Sequence, residues 1–207
     1  MKRTLLITLC CIIAVFFTIQ AYSADGPYLS ANLGLAALSD SDATDSTAPG
    51  ETIELSYDTG WTLGAAVGYR FNNLRVEGEL SYQKNDLDQV SAMGVSLDGT
   101  GDASGTALLV NGYYVFANES AFTPYIRVGQ GNAKVEANDY AVNGVDIGSE
   151  DDSGFAYQAG VGVGYAVNEN VTIDIKYRYF ATVDAEFDTA EVEIASHNFL
   201  VGVRYNF

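Results

Sequence analysis

The stretch Phe199-Leu200-Val201-Gly202-Val203-Arg204-Tyr205-Asn206-Phe207 alternates without a break. Phe199, Val201, Val203, Tyr205 and Phe207 share one parity; Leu200, Gly202, Arg204 and Asn206 share the other. With period two this reads as a β-strand with one wholly apolar face, and whatever covers that face decides the fold. Seven more segments carry the same pattern: Tyr28–Ala37, Trp61–Phe71, Leu74–Tyr82, Ala107–Phe116, Thr123–Asn132, Phe155–Val167 and Val171–Phe180, with His197–Phe207 as the eighth. The connections between them alternate in length. Asn72-Asn73, Ala117–Phe122 and Asn168–Asn170 are short, whereas 38–60, 83–106, 133–154 and 181–196 are long. Long loops on one side and tight turns on the other predict an all-β, antiparallel up-and-down barrel.

Parity sharpens this. The apolar face runs through Leu29, Leu33, Leu35, Leu63, Val67, Val76, Leu80, Leu108, Val110, Ile126, Val128, Val161, Val163, Ile173 and Ile175. No charged residue holds that parity in any of the eight segments. The opposite parity carries Arg70, Arg75, Glu77, Glu79, Arg127, Asp174, Lys176, Arg178 and Arg204. Alternation alone does not say which face is outside, because a soluble ligand-binding barrel has the same stripes inverted.

Three features put the apolar face outward, against lipid. The polar parity is rich in small residues (Gly64, Ala66, Gly68, Gly129, Gly160, Gly162, Gly164), which suit a crowded concave interior. Aromatics gather at both strand ends. Tyr69, Phe71, Phe116, Tyr165, Tyr205 and Phe207 lie at the short-turn end, and Trp61, Tyr82, Tyr157, Tyr177 and Tyr179 at the long-loop end, as two interfacial girdles. The distance from Trp61 to Phe71 is about 33 Å along a strand, which at a barrel's tilt spans about 25 Å of membrane.

The opening residues agree with export. Met1-Lys2-Arg3, the apolar run Thr4–Ile19 and the small residues Ala21 and Ser23 form a secretory signal peptide, with cleavage expected after Ser23. The run is shorter than the about 20 residues of a spanning helix. The expected organisation is therefore a leader at 1–23 and one barrel at 24–207. Both cysteines, Cys10 and Cys11, fall in the leader and neither follows a small residue as a lipid-acceptor cysteine would, so the exported protein is expected to lack thiols and disulfides. The net charge of −17 becomes more negative once Lys2 and Arg3 are removed, and so acidic a chain is repelled by nucleic acid.

Most of the 27 acidic residues sit in the long loops: Asp40, Asp42 and Asp58 in the first, Asp86, Asp88 and Asp102 in the second, Glu136, Asp139 and Asp151 in the third, Asp184, Glu186 and Glu193 in the fourth, among others. Such a rim can bind divalent cations together with lipopolysaccharide phosphates, meet a basic partner, or simply keep the loops solvated. Asp40-Ser41-Asp42 lacks the glycine that a calcium loop requires, so no metal ligand is assigned. The inward charges read as a network filling a lumen with room only for its own side chains; the alternative is a selectivity lining in a small pore. The inward set is richer in basic than in acidic residues. His197 is the sole histidine, and its neighbour Ser196 points to the other face of the strand, so the chain is read as a non-enzyme, with no catalytic or cofactor-binding residue assigned.

Several segments carry a family resemblance: Gly26-Pro27-Tyr28-Leu29, Asn111-Gly112-Tyr113-Tyr114-Val115-Phe116, Phe122-Thr123-Pro124-Tyr125-Ile126, Gly160-Val161-Gly162-Val163-Gly164-Tyr165 and Val201–Phe207. In these the chain resembles the small outer-membrane β-barrel family that includes opacity-type adhesins and porin-like surface antigens. The resemblance implies an eight-stranded transmembrane barrel in a Gram-negative type outer membrane, with four long extracellular loops and short periplasmic turns. It also implies insertion by the outer-membrane assembly machinery through the strand ending at Phe207. Lipid and lipopolysaccharide are expected as surroundings, and an extracellular ligand as a partner of the loops. The expected role is a surface scaffold for adhesion or cell-envelope support, with a porin-like channel as the alternative. Gln130 and Asn132 break the apolar parity, so the fifth segment is expected to leave the bilayer early.

Overall fold

The computed structural model describes residues 25–39, 41–44, 52–92, 95–142, 145–187 and 190–207. The expected leader at 1–23 lies outside the described residues. Ten strands follow in order: β1 (Gly26–Leu38), β2 (Ser41–Thr44), β3 (Thr52–Tyr57), β4 (Gly60–Phe71), β5 (Leu74–Ala92), β6 (Val95–Val115), β7 (Phe122–Val142), β8 (Val145–Ala166), β9 (Val171–Phe187) and β10 (Ala190–Asn206). β1 and β4 to β10 form a closed, eight-stranded antiparallel wall. Each strand pairs with its neighbour in the chain, β1 pairs with β4 past the short β2 and β3, and β1 meets β10 in an unbroken ladder from Tyr28↔Asn206 to Leu38↔Ser196. Closure leaves no edge, so every wall strand has both its backbone ladders filled, as a bilayer demands.

The wall is lipid-facing as the parity requires. Leu33, Leu108, Ile175 and Phe207 are 70%, 67%, 64% and 65% exposed, while Glu79 and Arg127 on the other parity are 0% and 1% exposed. Gln130 and Asn132 do point outward, but Gln130 lies beside Val110 and Tyr157, and Asn132 beside Leu108 and Phe155, so the strand continues past them.

Three tight turns close the end that holds Phe207. Asn72 takes a left-handed backbone conformation (φ 51°), which asparagine tolerates better than most residues. Asn168 Oδ1 accepts from the backbone nitrogens of Asn170 (2.9 Å) and Val171 (2.8 Å), a side-chain turn that mimics a backbone one.

At the other end the described residues of the expected long loops are largely paired strand. β5 and β6 stay paired as far as Ala92↔Val95, and β7 and β8 as far as Val142↔Val145. Beyond Lys84, β5 runs eight residues further, about 26 Å of strand. β3 pairs along the outer part of β5, and β2 along β3. Register shifts in the wall cluster in this outer zone, at Asp86/Gln89, Thr100/Asp102, Ala137/Tyr140 and Val192/Ile194. The physical reason these strands escaped a parity reading is that their outward face meets water rather than lipid, so nothing requires it to be apolar, although Asn85 and Leu87 remain buried between the exposed Asp86 and Asp88. Asn85, 1% exposed, pins the first connection at the mouth, donating to the carbonyls of Ala36 (2.8 Å) and Asp58 (3.0 Å).

Candidate functional site

Every inward charge read from parity, apart from Arg70, is buried in the lumen. Arg70 sits at the short-turn mouth, half-buried, with Nε donating to Asn72 O at 2.9 Å. The core of the network is Glu79. Its carboxylate receives Arg127 Nη2 at 2.6 Å, Asn111 Nδ2 at 2.7 Å, Gln158 Nε2 at 3.3 Å and Arg178 Nη1 at 3.5 Å. Arg178 also reaches Thr62 Oγ1 at 3.2 Å. With the Asn198 amide oxygen turned toward it, Arg178 Nε gains a further acceptor at 3.1 Å. One carboxylate thus ties together residues of β5, β6, β7, β8 and β9 across the barrel. Burying these charges is tolerable only because each finds opposite charge or hydrogen bonds inside.

Glu77 is satisfied differently. The turn at Asn72-Asn73 pairs Arg70 with Arg75 and Gly68 with Glu77, yet Glu77 takes its hydrogen bonds from neutral donors. Tyr28 Oη donates at 2.9 Å, Asn111 Nδ2 at 3.3 Å, and Tyr113 Oη also donates to it. Arg75 stacks over the rings of Tyr113 (4.2 Å to the centroid) and Tyr125 (4.7 Å). Such contacts supply a desolvated guanidinium with electrostatic attraction without a counter-charge. Part of the positive excess in the lumen therefore rests on aromatic faces. These three tyrosines are what the sequence reading missed. Each has inward parity, next to outward Leu29, Tyr114 and Ile126, but attention to charged residues passed over them.

Glycine makes room for the rings. A Cβ on Gly162 would lie 2.8 Å from Tyr125 Cε2, and one on Gly68 would meet the Tyr28 ring and lie 2.8 Å from Glu77 Cβ. Toward the hairpin end the lumen turns apolar, with Ala107, Leu109, Ala133 and Ala156 buried together against Phe180. Between the charged layers, around Asn32, Glu77, Asp174 and Lys176, a cavity of about 10 Å³ remains, room for about one water.

Outside, the girdles are in place. Trp61 and Tyr82 pack at 5.3 Å between ring centroids, Phe122 and Tyr165 at 4.9 Å, Tyr205 and Phe207 at 5.2 Å. Lys84 lies across from Trp61 in the ladder and ion-pairs with Asp102 at 3.0 Å. On β7, Lys134 contacts Glu136 at 2.6 Å and Asp151 at 3.2 Å. The hydrogen bonds it donates to these two carboxylates keep its ammonium charged to above the usual lysine range. His197 faces outward with Nδ1 2.6 Å from Tyr177 Oη, while Ser196 is buried on the lumen side.

A closed wall with a lipid-facing apolar band, two aromatic girdles and a lumen packed with its own side chains defines a small transmembrane β-barrel. A family model described as an outer membrane protein beta-barrel domain matches residues 7–207, and the chain belongs to that family. Outer membrane protein PagN of Salmonella typhimurium is 35% identical over 121 residues, covering 49% of this chain and 49% of that protein, so the chain matches about half the length of this curated relative. Among solved structures, Neisserial surface protein A superposes with a TM-score of 0.58 at 21% identity, covering 88% of this chain and 97% of that one. OprG from Pseudomonas aeruginosa gives 0.57 at 19% identity, covering 91% and 99%. These two likenesses concern the fold.

Proposed function

We propose that the protein is a surface scaffold of the outer membrane, whose sealed barrel holds its acidic paired strands in the extracellular space, where they bind a partner or brace the envelope. The observation that carries this is the filled lumen. The Glu79–Arg127–Arg178 network, the tyrosine layer and the apolar cluster at Leu109 leave about 10 Å³ of internal cavity between the charged layers. A solute-passing channel needs the space these side chains fill, so the working surface is the extended end.

That surface is acidic. Asp58, Asp86, Asp88, Asp139 and Asp151 are exposed there, with Glu136 half-exposed. Carboxylates presented on paired strands suit a cationic partner surface, or lipopolysaccharide phosphates bridged by divalent cations. On this reading the protein is no enzyme, since Ser196 and His197 point away from each other and share no site. Orientation follows the usual outer-membrane arrangement, with tight turns in the periplasm.

Three experiments test the proposal. Refolded protein, with insertion verified by the mobility shift between unboiled and boiled samples, is expected to give no conductance steps in a planar bilayer. Stable steps would support the porin-like alternative instead. Replacing the outer parts of β5–β6 and β7–β8 with short glycine-serine turns is expected to abolish binding to a polycationic surface while leaving insertion intact. Unchanged binding would remove the scaffold reading. For the lipopolysaccharide arm, chelation of divalent cations is expected to lower the melting temperature in lipopolysaccharide bilayers and not in phospholipid ones.

A further inference from the structure

The short-turn mouth of the barrel holds a recess of about 40 Å³, equivalent to about three water positions. Arg70 from β4, Arg75 from β5 and Arg204 from β10 converge on it, with Asn118, Thr123 and Thr172 as polar neighbours. No carboxylate lines it among the described residues. The closest counter-charge is Asp174, on the inner side: its Oδ1 ion-pairs with Arg204 Nη2 at 3.6 Å, too long for a hydrogen bond, while Asp25 Oδ1 accepts from the backbone nitrogen of Asn72 at 2.6 Å on the rim.

Two of the arginines are buried with donors unused. Arg75 is 3% exposed, and its Nε and Nη2 have no protein acceptor; Arg204 is 6% exposed, and its Nε has none. A guanidinium carries five N–H donors in a fixed fork, and leaving them unmet away from bulk water is costly. Both residues are also held in place. Arg75 is clamped over the Tyr113 and Tyr125 rings, and Arg204 lies 5.8 Å from the Tyr28 ring centroid. Arg75 and Arg204 stand between this recess and the small inner cavity beside Glu77 and Asp174, so the recess is a positively charged pocket whose own lining holds no carboxylate and whose buried guanidiniums keep donors unmet by protein.

We propose that this recess is a binding site for a phosphate oxyanion. Tetrahedral phosphate offers several acceptor oxygens at once, and forked guanidinium donors match them in geometry and charge. The site opens at the level of the aromatic girdle formed by Tyr205 and Phe207, so it can be reached both by phosphate dissolved in the periplasm and by an anionic phospholipid headgroup.

The test uses the refolded barrel, beginning at Ala24, in zwitterionic micelles, with the arginine Nε–Hε signals followed by NMR. Inorganic phosphate is titrated at ionic strength held constant with sodium chloride. Saturable shifts of the Arg75 and Arg204 signals are expected, with Arg70→Gln weakening the apparent affinity at least tenfold. Arg70 stands at the rim, so this variant spares the buried network; Arg204→Lys serves as a second variant that keeps the charge and removes the fork. Nanodiscs then separate the sources. Shifts in phosphatidylglycerol discs without added phosphate, absent in phosphatidylcholine discs, assign the site to a headgroup; shifts only on adding phosphate assign it to the free ion. Signals that move no more with phosphate than with chloride, and are the same in both kinds of disc, would overturn the proposal and leave the recess merely hydrated.

Discussion

Arg127 Nη2 lies 2.6 Å from Glu79 Oε2 although 48 residues separate them in the chain, and both side chains are shut off from solvent. Removing one partner of a buried pair leaves the other as an uncompensated charge, at a cost of about 3–5 kcal/mol. Glu79 serves two arginines, so Glu79→Ala is expected to destabilise the barrel by at least that much, and Glu79→Gln by less, because it keeps the shape and some of the hydrogen bonds. Urea unfolding in phospholipid vesicles, followed by the fluorescence of the single tryptophan Trp61, measures both. Equal midpoints for the wild type and Glu79→Ala would mean that the network contributes nothing to stability.

Glycines on the two faces are expected to behave oppositely. Gly162→Ala drives a methyl group into the Tyr125 ring, whereas a Cβ on Gly78 meets nothing within 4 Å. Overpacking of this kind costs about 1–3 kcal/mol, while Gly78→Ala should be neutral or slightly stabilising. The same unfolding assay, run side by side, separates a crowded lumen from a general intolerance of strand substitution.

A charge placed on the lipid face should be costly only within the apolar band. Val201 is 53% exposed on the apolar parity of β10, between Phe199 and Val203. Val201→Arg is expected to cost about 2–4 kcal/mol. By contrast, Lys84→Ala, at the rim across from Trp61, should change stability by no more than about 0.5 kcal/mol. If Val201→Arg unfolded at the wild-type urea concentration, the outward face would not be in hydrocarbon.

Export gives a fourth expectation. Expression of the full chain in a Gram-negative host should yield an outer-membrane product whose N-terminal residue, by mass spectrometry, is Ala24. Retention of Met1 would replace the cleaved leader with an anchor.

The wall was legible in the sequence because lipid bars charge from its outer face. A charged residue cannot sit outward at Leu80 or Ile175, so charge keeps to the inward parity along every spanning stretch, and only neutral polar residues such as Gln130 and Asn132 break the apolar pattern. The rule lapses past Lys84 and Lys134, where the outward face of β5 to β8 meets water instead of lipid, and there the paired strands read as loops. The candidate site was half legible. Arg127, Arg178 and Glu79 declare themselves as inward charges, but their pairing depends on the shear of the barrel, which places Glu79 of β5 near Arg178 of β9. Arg75 shows the other limit. Its partners are rings rather than carboxylates, and charge counting left it without an explanation that Tyr113 and Tyr125 provide. The recess needed coordinates outright, since Arg70, Arg75 and Arg204 come from strands meeting at one mouth.

The seam between β1 and β10 bears on how the molecule comes to exist at all. Leu29 faces Tyr205 and Leu33 faces Val201 across it, so the two strands that complete the ring come from opposite ends of the described chain. Until β10 arrives, the growing sheet has two raw edges and an oily exterior with no lipid around it, the combination most prone to sticking to other chains. The time between synthesis and closure is therefore the hazardous interval of this protein's life.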